Sequence, residues 1–214
     1  MFDEKGVKGE IQTSLPIERV SVSKQGIVGA LLKNENSPQI VCYDAAGNML
    51  AELKTSFAST GYPMDISISE DGTLLLVSFM HIENGQVMTK VIYYSFAGET
   101  SVNKDYEVVA DSYERMVAPS VFFMNNSVSA VVGDDRVLLY KGKDAPELSQ
   151  TILLEKEIKS VFHSEKYIGL ILKNEGKAGY ELCLYNTVGR QVMSQEFTGD
   201  YGNVKICGGK VLMY

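Results

Sequence analysis

The stretch VCYDAAGNMLAEL, Val41 to Leu53, decides the fold. A β-branched and aromatic run closes at Tyr43, a polar turn holding Gly47 follows, and a second run opens at Met49. That is the pattern of a strand, a tight reversal and a strand. The closing tyrosine recurs as Tyr94 in KVIYYSFAGE, Tyr140 in RVLLYKGKDA and Tyr185 in ELCLYNTVGR, at intervals of 51, 46 and 45 residues. Each is followed by a short turn and another run: MLAEL, TSVNKDYEVV, LSQTILL and QVMSQEF. Periods of this length mark repeated supersecondary units.

A second unit precedes each tyrosine unit. Its copies are VSVSKQGIVGALLK, DISISEDGTLLLVSF, SVFFMNNSVSAVVGD and SVFHSEKYIGLILK, and a fifth, NVKICGGKVLMY, ends at Tyr214. Each pairs two apolar runs around residues that tolerate a tight turn. The full repeat is therefore four short antiparallel strands, a to d. Strands b and c are nearly continuous apolar runs, so both faces of each sheet are covered. Four-stranded units covered on both sides by copies of themselves are the blades of a β-propeller. The expected fold is all-β, one domain over residues 1–214. Its full blades are expected near 17–57, 63–108, 118–155 and 158–198, with half blades at 1–13 and 202–214. YERMVAPS and SQTILLEKEI have room for a helical turn at most.

The opening residues MFDEKG lay on the quoted stretch with Phe2 at Tyr43, Asp3 at Asp44 and Gly6 at Gly47. On this reading the chain starts late in a strand c and stops after a strand b. Joined halves would close a five-bladed ring; otherwise the chain is part of a larger propeller. We favour an incomplete propeller whose exposed strand edges pair with another copy, a homo-oligomer.

Composition excludes several classes. The net charge of -7 and the scattered basic residues argue against a nucleic-acid partner. No apolar run approaches the length that spans a membrane, and no signal peptide is visible at the start. Cys42, Cys183 and Cys207 each lie in an apolar run and read as small buried hydrophobes. No metal and no cofactor is expected. The two histidines, His81 and His163, belong to different repeats; His81 is expected to be exposed after a strand b, and His163 to pack near a turn. The carboxylates of GDDR, Gly133 to Arg136, and of SEDG lack the four or more oxygen ligands of a calcium loop and read as solvated turns. Asn125-Asn126-Ser127 matches a glycosylation sequon but falls in a tight turn. Ser21–Lys24 and Ser101–Lys104 match Ser-x-x-Lys but lie in strand and turn segments, not at a helix start.

ISISEDGTLLLVSF and YDAAGNML resemble the hairpins of bacterial WD40-like and TolB-like propellers, although the Trp-Asp signature is absent because the chain has no Trp. Over nearly its whole length the chain also resembles a Firmicute family of unknown function. That resemblance implies a propeller-like domain on the outer face of a membrane behind an N-terminal anchor, which is missing from this sequence. It carries over no catalytic residue.

Function in a propeller concentrates on the face where the d-to-a and b-to-c connections meet. Those connections and strand starts supply Arg19, Tyr62, Asp65, Tyr113, Arg115 and Tyr201 as candidate binding residues, with Glu18, Glu114 and Asp200 beside them. Tyrosine offers contact area at low entropy cost. The channel-side positions read Arg19, Asp65, Ser120, Ser160 and Asn203, and Arg19 and Asp65 can pair across adjacent blades. The expected function is a non-catalytic binding or scaffold propeller for a protein or glycan partner. The alternative is a propeller-type hydrolase or lyase acting on a carbohydrate or small ester, which requires carboxylates or histidines converging in the channel.

Overall fold

The computed structural model describes residues 2–3, 6–7, 10–34, 37–96, 106–176 and 178–214. Two strands at the start, β1 (Phe2–Asp3) and β2 (Gly6–Val7), form a hairpin. Four four-stranded antiparallel sheets follow in chain order. The first blade holds β3 (Ile17–Val22), β4 (Val28–Leu32), β5 (Gln39–Tyr43) and β6 (Met49–Lys54). The second holds β7 (Tyr62–Ile68), β8 (Leu74–Glu83), β9 (Gln86–Ser95) and β10 (Glu107–Glu114). The third holds β11 (Ser120–Asn125), β12 (Val128–Val132), β13 (Arg136–Lys141) and β14 (Glu147–Leu153). The fourth holds β15 (Ile158–His163), β16 (Tyr167–Lys173), β17 (Tyr180–Asn186) and β18 (Gln191–Phe197). A last hairpin pairs β19 (Val204–Cys207) with β20 (Lys210–Met213). In each full sheet the strands keep the order a-b-c-d.

The quoted stretch closes as its residues dictate. Asp44 Oδ1 accepts from the N–H groups of Ala46 at 2.9 Å and Asn48 at 2.8 Å, and Gly47 adopts φ 88°. The fourth blade repeats this turn: Asn186 Oδ1 accepts from Val188 and Arg190, and Gly189 has φ 76°. A side-chain acceptor holds the turn and glycine supplies the left-handed residue. The recurring tyrosine marks more than a strand end. The c–d register shifts beside Tyr43, Tyr140 and Tyr185, and opposite Tyr94 in the second blade. A bulge at that point bends the outer strand and raises its twist.

The core lies between blades. Leu31, Ile40 and Cys42 pack on Ile66, Val77 and Phe79 across the first seam. Tyr93 and Leu74 meet Val131 and Tyr140 across the second, and Phe122 and Leu139 meet Ile168 and Leu170 across the third. Burying one such side chain contributes about 1.5–3 kcal/mol, so each sheet is stabilised mainly by its neighbours. At equivalent positions of strand a, Ile66 and Ile68 are 4% and 5% exposed, while Val20 and Val22 of the first blade are 53% and 56% exposed.

Side chains of one strand a also satisfy the backbone of the next. Ser21 Oγ accepts from Ile68 N at 2.9 Å, Asp65 Oδ2 from Val121 N at 2.9 Å, and Ser67 Oγ from Phe123 N at 3.1 Å. At the third seam the serine position holds Phe122, whose ring stacks on His163 with centroids 4.0 Å apart. On the face of the a–b turns, Lys24 Nζ reaches both Glu70 at 2.6 Å and Glu165 at 2.7 Å, from the first blade to the second and fourth.

Several sequence expectations are corrected. The second blade ends at Glu114, not near residue 108, because its strand d alternates exposed and half-buried residues and carries charges that read as a loop. β8 and β9 run ten residues each, so His81 lies within strand b with its side chain only 12% exposed. Cys42 and Cys183 are buried, but Cys207 is exposed beside the Gly208-Gly209 turn. YERMVAPS and SQTILLEKEI contain strand and no helix. Ser101–Lys104 lies outside the described residues. Among the described residues no helix is long and apolar enough to cross a membrane.

Candidate binding face

Bulges between strands a and b set the side chains at the channel. The register shifts between Ile17 and Arg19, Pro63 and Asp65, and Ile158 and Ser160, leaving Glu18, Met64 and Lys159 as extra residues. A bulge re-aims the side chains around it. In the first seam it brings Glu18 against the next blade: both Glu18 carboxylate oxygens accept from Tyr62 Oη, at 3.0 Å each. The Tyr62 ring stacks on half-exposed Phe57, with centroids 5.8 Å apart and planes 2° from parallel. Arg19 Nε lies 3.9 Å from Asp65 Oδ1, and the Arg19 side chain is 52% exposed.

The electrostatics follow from burial. Desolvation holds the Asp65 carboxyl above its ordinary range, although the N–H groups of Val121 and Ile66 and the Arg19 charge oppose this. Tyr62 is pushed up by burial and by its bond to the Glu18 carboxylate. Glu18, Arg19, Tyr62 and Asp65 thus form one cluster at the first seam. The loop before Tyr62 is fixed from behind, because Lys90 Nζ donates to Ser59 O at 2.7 Å. Gly61, at φ 98°, leaves no room for a Cβ, which would sit 2.5 Å from Met80 O.

The other three candidates lie elsewhere. Tyr113 is on β10, not in a d-to-a loop, and its hydroxyl is 2.5 Å from Tyr140 Oη. Tyr140 in turn donates to Asp111 Oδ2 at 2.8 Å. Burial pushes both phenols upward, so they remain protonated hydrogen-bond donors. Arg115 follows β10 in the left-handed region, at φ 54°, and is exposed. Tyr201 packs edge-on against Tyr180 and Phe197, with centroids at 5.6 and 6.0 Å, and its hydroxyl lies 2.8 Å from Ser160 Oγ. Of the six residues only Arg19, Tyr62 and Asp65 are brought together, at the first seam.

Two turn motifs have structural roles. Asp71 of SEDG accepts from the Ser69 and Thr73 hydroxyls, at 2.8 Å each, and closes its own turn. Asn125 of the sequon accepts from Ser127 N at 2.9 Å. Among the described residues no group of three or more His, Cys, Asp or Glu is placed to hold a metal ion. Sequence reasoning missed Phe57, whose partner Tyr62 sits five residues on across a loop that carries no periodic signal.

Sheets of four antiparallel strands, packed face to face in chain order around polar channel-side positions, define a β-propeller. Solved structures with the same architecture bear this out. A protein from Lactobacillus plantarum is 14% identical, with a TM-score of 0.57 over 92% of this chain and 60% of that one. The WD40 domain of SCAP from fission yeast is 12% identical, with a TM-score of 0.55 over 87% and 46%. Prolyl oligopeptidase B from Galerina marginata is 13% identical, with a TM-score of 0.59 over 94% and 30%. This chain thus spans about a third to three fifths of the length of these structures. The chain belongs to DUF5711, a family of unknown function, whose family model matches residues 1–214. No curated protein matches it.

Proposed function

We propose that this chain is a non-catalytic binding propeller that recognises a protein or cell-surface glycan through its d-to-a face. The observation that carries the reading is the Phe57–Tyr62 stack beside the exposed Arg19 side chain, with Tyr62 clamped by Glu18. A preordered aromatic pair next to a cation presents contact area with little ordering cost on binding. The proposal carries the location implied by the family resemblance: the propeller stands outside a membrane, held by an anchor of the full-length protein. It also includes self-association, supported by the exposed Val20 and Val22, whose counterparts in the second and third blades, Ile66, Ile68, Val121 and Phe123, are buried.

The test is a binding screen of the folded protein against purified cell-wall glycan fragments and candidate surface proteins. Arg19→Ala and Tyr62→Ala run alongside, with thermal unfolding as a control for folding. Saturable binding lost in both folded variants supports the proposal. Turnover of a glycoside or ester substrate, abolished by Asp65→Asn, overturns it in favour of the hydrolase or lyase reading. Light scattering checks self-association, which Val20→Lys should disrupt.

A further inference from the structure

We infer that the seam between the third and fourth blades is a binding site for a small organic carboxylate. It lies apart from the first seam and does not depend on the function proposed there. At the second seam Asp65 spans the gap between inner strands and presents its carboxylate to Val121 N–H at 2.9 Å. At the third seam the same two places are held by Ser120 and Val161. Serine is too short to span the gap, and β11 and β15 stand further apart than β7 and β11. A cavity of about 340 Å³ opens there, lined by Ser120, Asp134, Glu157, Lys159 and Val161 among others. That volume suits a molecule of dipeptide or monosaccharide size.

Two donors at this cavity lack acceptors, whereas Ser160 Oγ, also on its lining, lies 2.8 Å from Tyr201 Oη. Among the described residues the Ser120 hydroxyl makes no hydrogen bond and Lys159 has no ion-pair partner. Lys159 is the extra residue of the β15 bulge and is exposed at the cavity. By the repeat, the Val161 N–H faces the inner edge as that of Val121 does, and no described side chain accepts from it. The acids at the rim are already engaged: Asp134 Oδ1 accepts from Val117 N at 3.1 Å, and Glu157 pairs with Lys173 at 3.4 Å. A ligand carboxylate would take the place that Asp65 fills one seam earlier, meeting a backbone N–H, a hydroxyl and an ammonium. The carboxylate of a peptide C-terminus and that of a uronic acid share this chemistry.

The test is an amide-resolved NMR titration of the folded chain with acetyl-dialanine and with D-glucuronate. Each is compared with its neutral counterpart, acetyl-dialanine amide or glucose. At least one carboxylate is expected to shift the Val161 amide saturably, its neutral counterpart not, while the Phe123 amide, held by Ser67, stays still. The probe that binds identifies the source. Lys159→Ala should weaken binding roughly tenfold. Ser120→Asp, which restores the carboxylate within the chain, should abolish binding without lowering the unfolding temperature. No saturable shift with either carboxylate, equal binding of the neutral counterparts, or unchanged affinity in either variant overturns the proposal.

Discussion

Tyr140 donates its hydroxyl hydrogen to Asp111 Oδ2 at 2.8 Å, from the third blade to the outer strand of the second. Its ring is fully buried against Tyr93, with centroids 5.3 Å apart. Removing that hydroxyl leaves the Asp111 carboxylate and the Tyr113 phenol without their shared partner. Tyr140→Phe should therefore lower stability by about 1–3 kcal/mol in urea unfolding. Tyr113→Phe, which leaves the Tyr140–Asp111 bond in place, should cost less. Equal losses would mean that the bond to the carboxylate is not the one that matters.

Gly169 sits under the Phe162 ring, and a Cβ there would fall 2.1 Å from two ring carbons. That ring anchors the fourth seam with Ile171, Leu182 and Val204, so it has little freedom to shift. Gly169→Ala should cost about 1–3 kcal/mol through overpacking, despite alanine's lower backbone entropy when unfolded. Phe162→Leu in the same chain should recover part of the loss, as read from thermal midpoints.

Asp65 gives a pH dependence of definite sign. Burial raises its folded pKa above the ordinary value of 3.8. The folded state then holds the proton more tightly than the unfolded state. The group's contribution is fully present below pH 3.8 and is lost as pH rises through the folded value. Asparagine keeps an oxygen for Val121 N–H and has no charge to desolvate. Asp65→Asn should thus gain stability relative to the parent between roughly pH 3 and roughly pH 7. Urea midpoints at the two pH values measure the gain, and a constant difference would contradict it.

The thiols should separate cleanly. Burial pushes Cys42 and Cys183 up to about 12, while Cys207 is exposed. A thiol reagent at mildly alkaline pH should label one cysteine of the native chain quickly and all three after unfolding. Cys207→Ser should remove the fast phase.

The blades were legible because their signals are local. The turn after Tyr43 needs only Asp44 and Gly47, and the covered strands b and c need only their apolar runs. Strand d of the second blade was not legible: from Glu107 to Glu114 it alternates exposed and half-buried positions and pairs with β9 through an irregular register. Tyr113 was misplaced for the same reason, and its bond to Tyr140 depends on the packing of two blades. Cys207 looked buried because an apolar neighbourhood in sequence does not report which side of a hairpin a neighbour covers. The Arg19–Asp65 pair was readable from the repeat, since equivalent positions fall at the same height along the channel. The Glu18–Tyr62 clamp was not, because it follows from a bulge that leaves no mark in composition.

The bond between Lys24 and Glu165 joins residues 141 positions apart in the chain. Closing that span is entropically costly until the second and third blades have assembled and carried the fourth around to the first. Local hairpins close early, whereas contacts across such a span wait for loop-closure entropy to be met. By its span this ion pair is expected to form late in folding. Its loss should leave the refolding rate nearly unchanged and appear instead as faster opening of the first blade from the fourth.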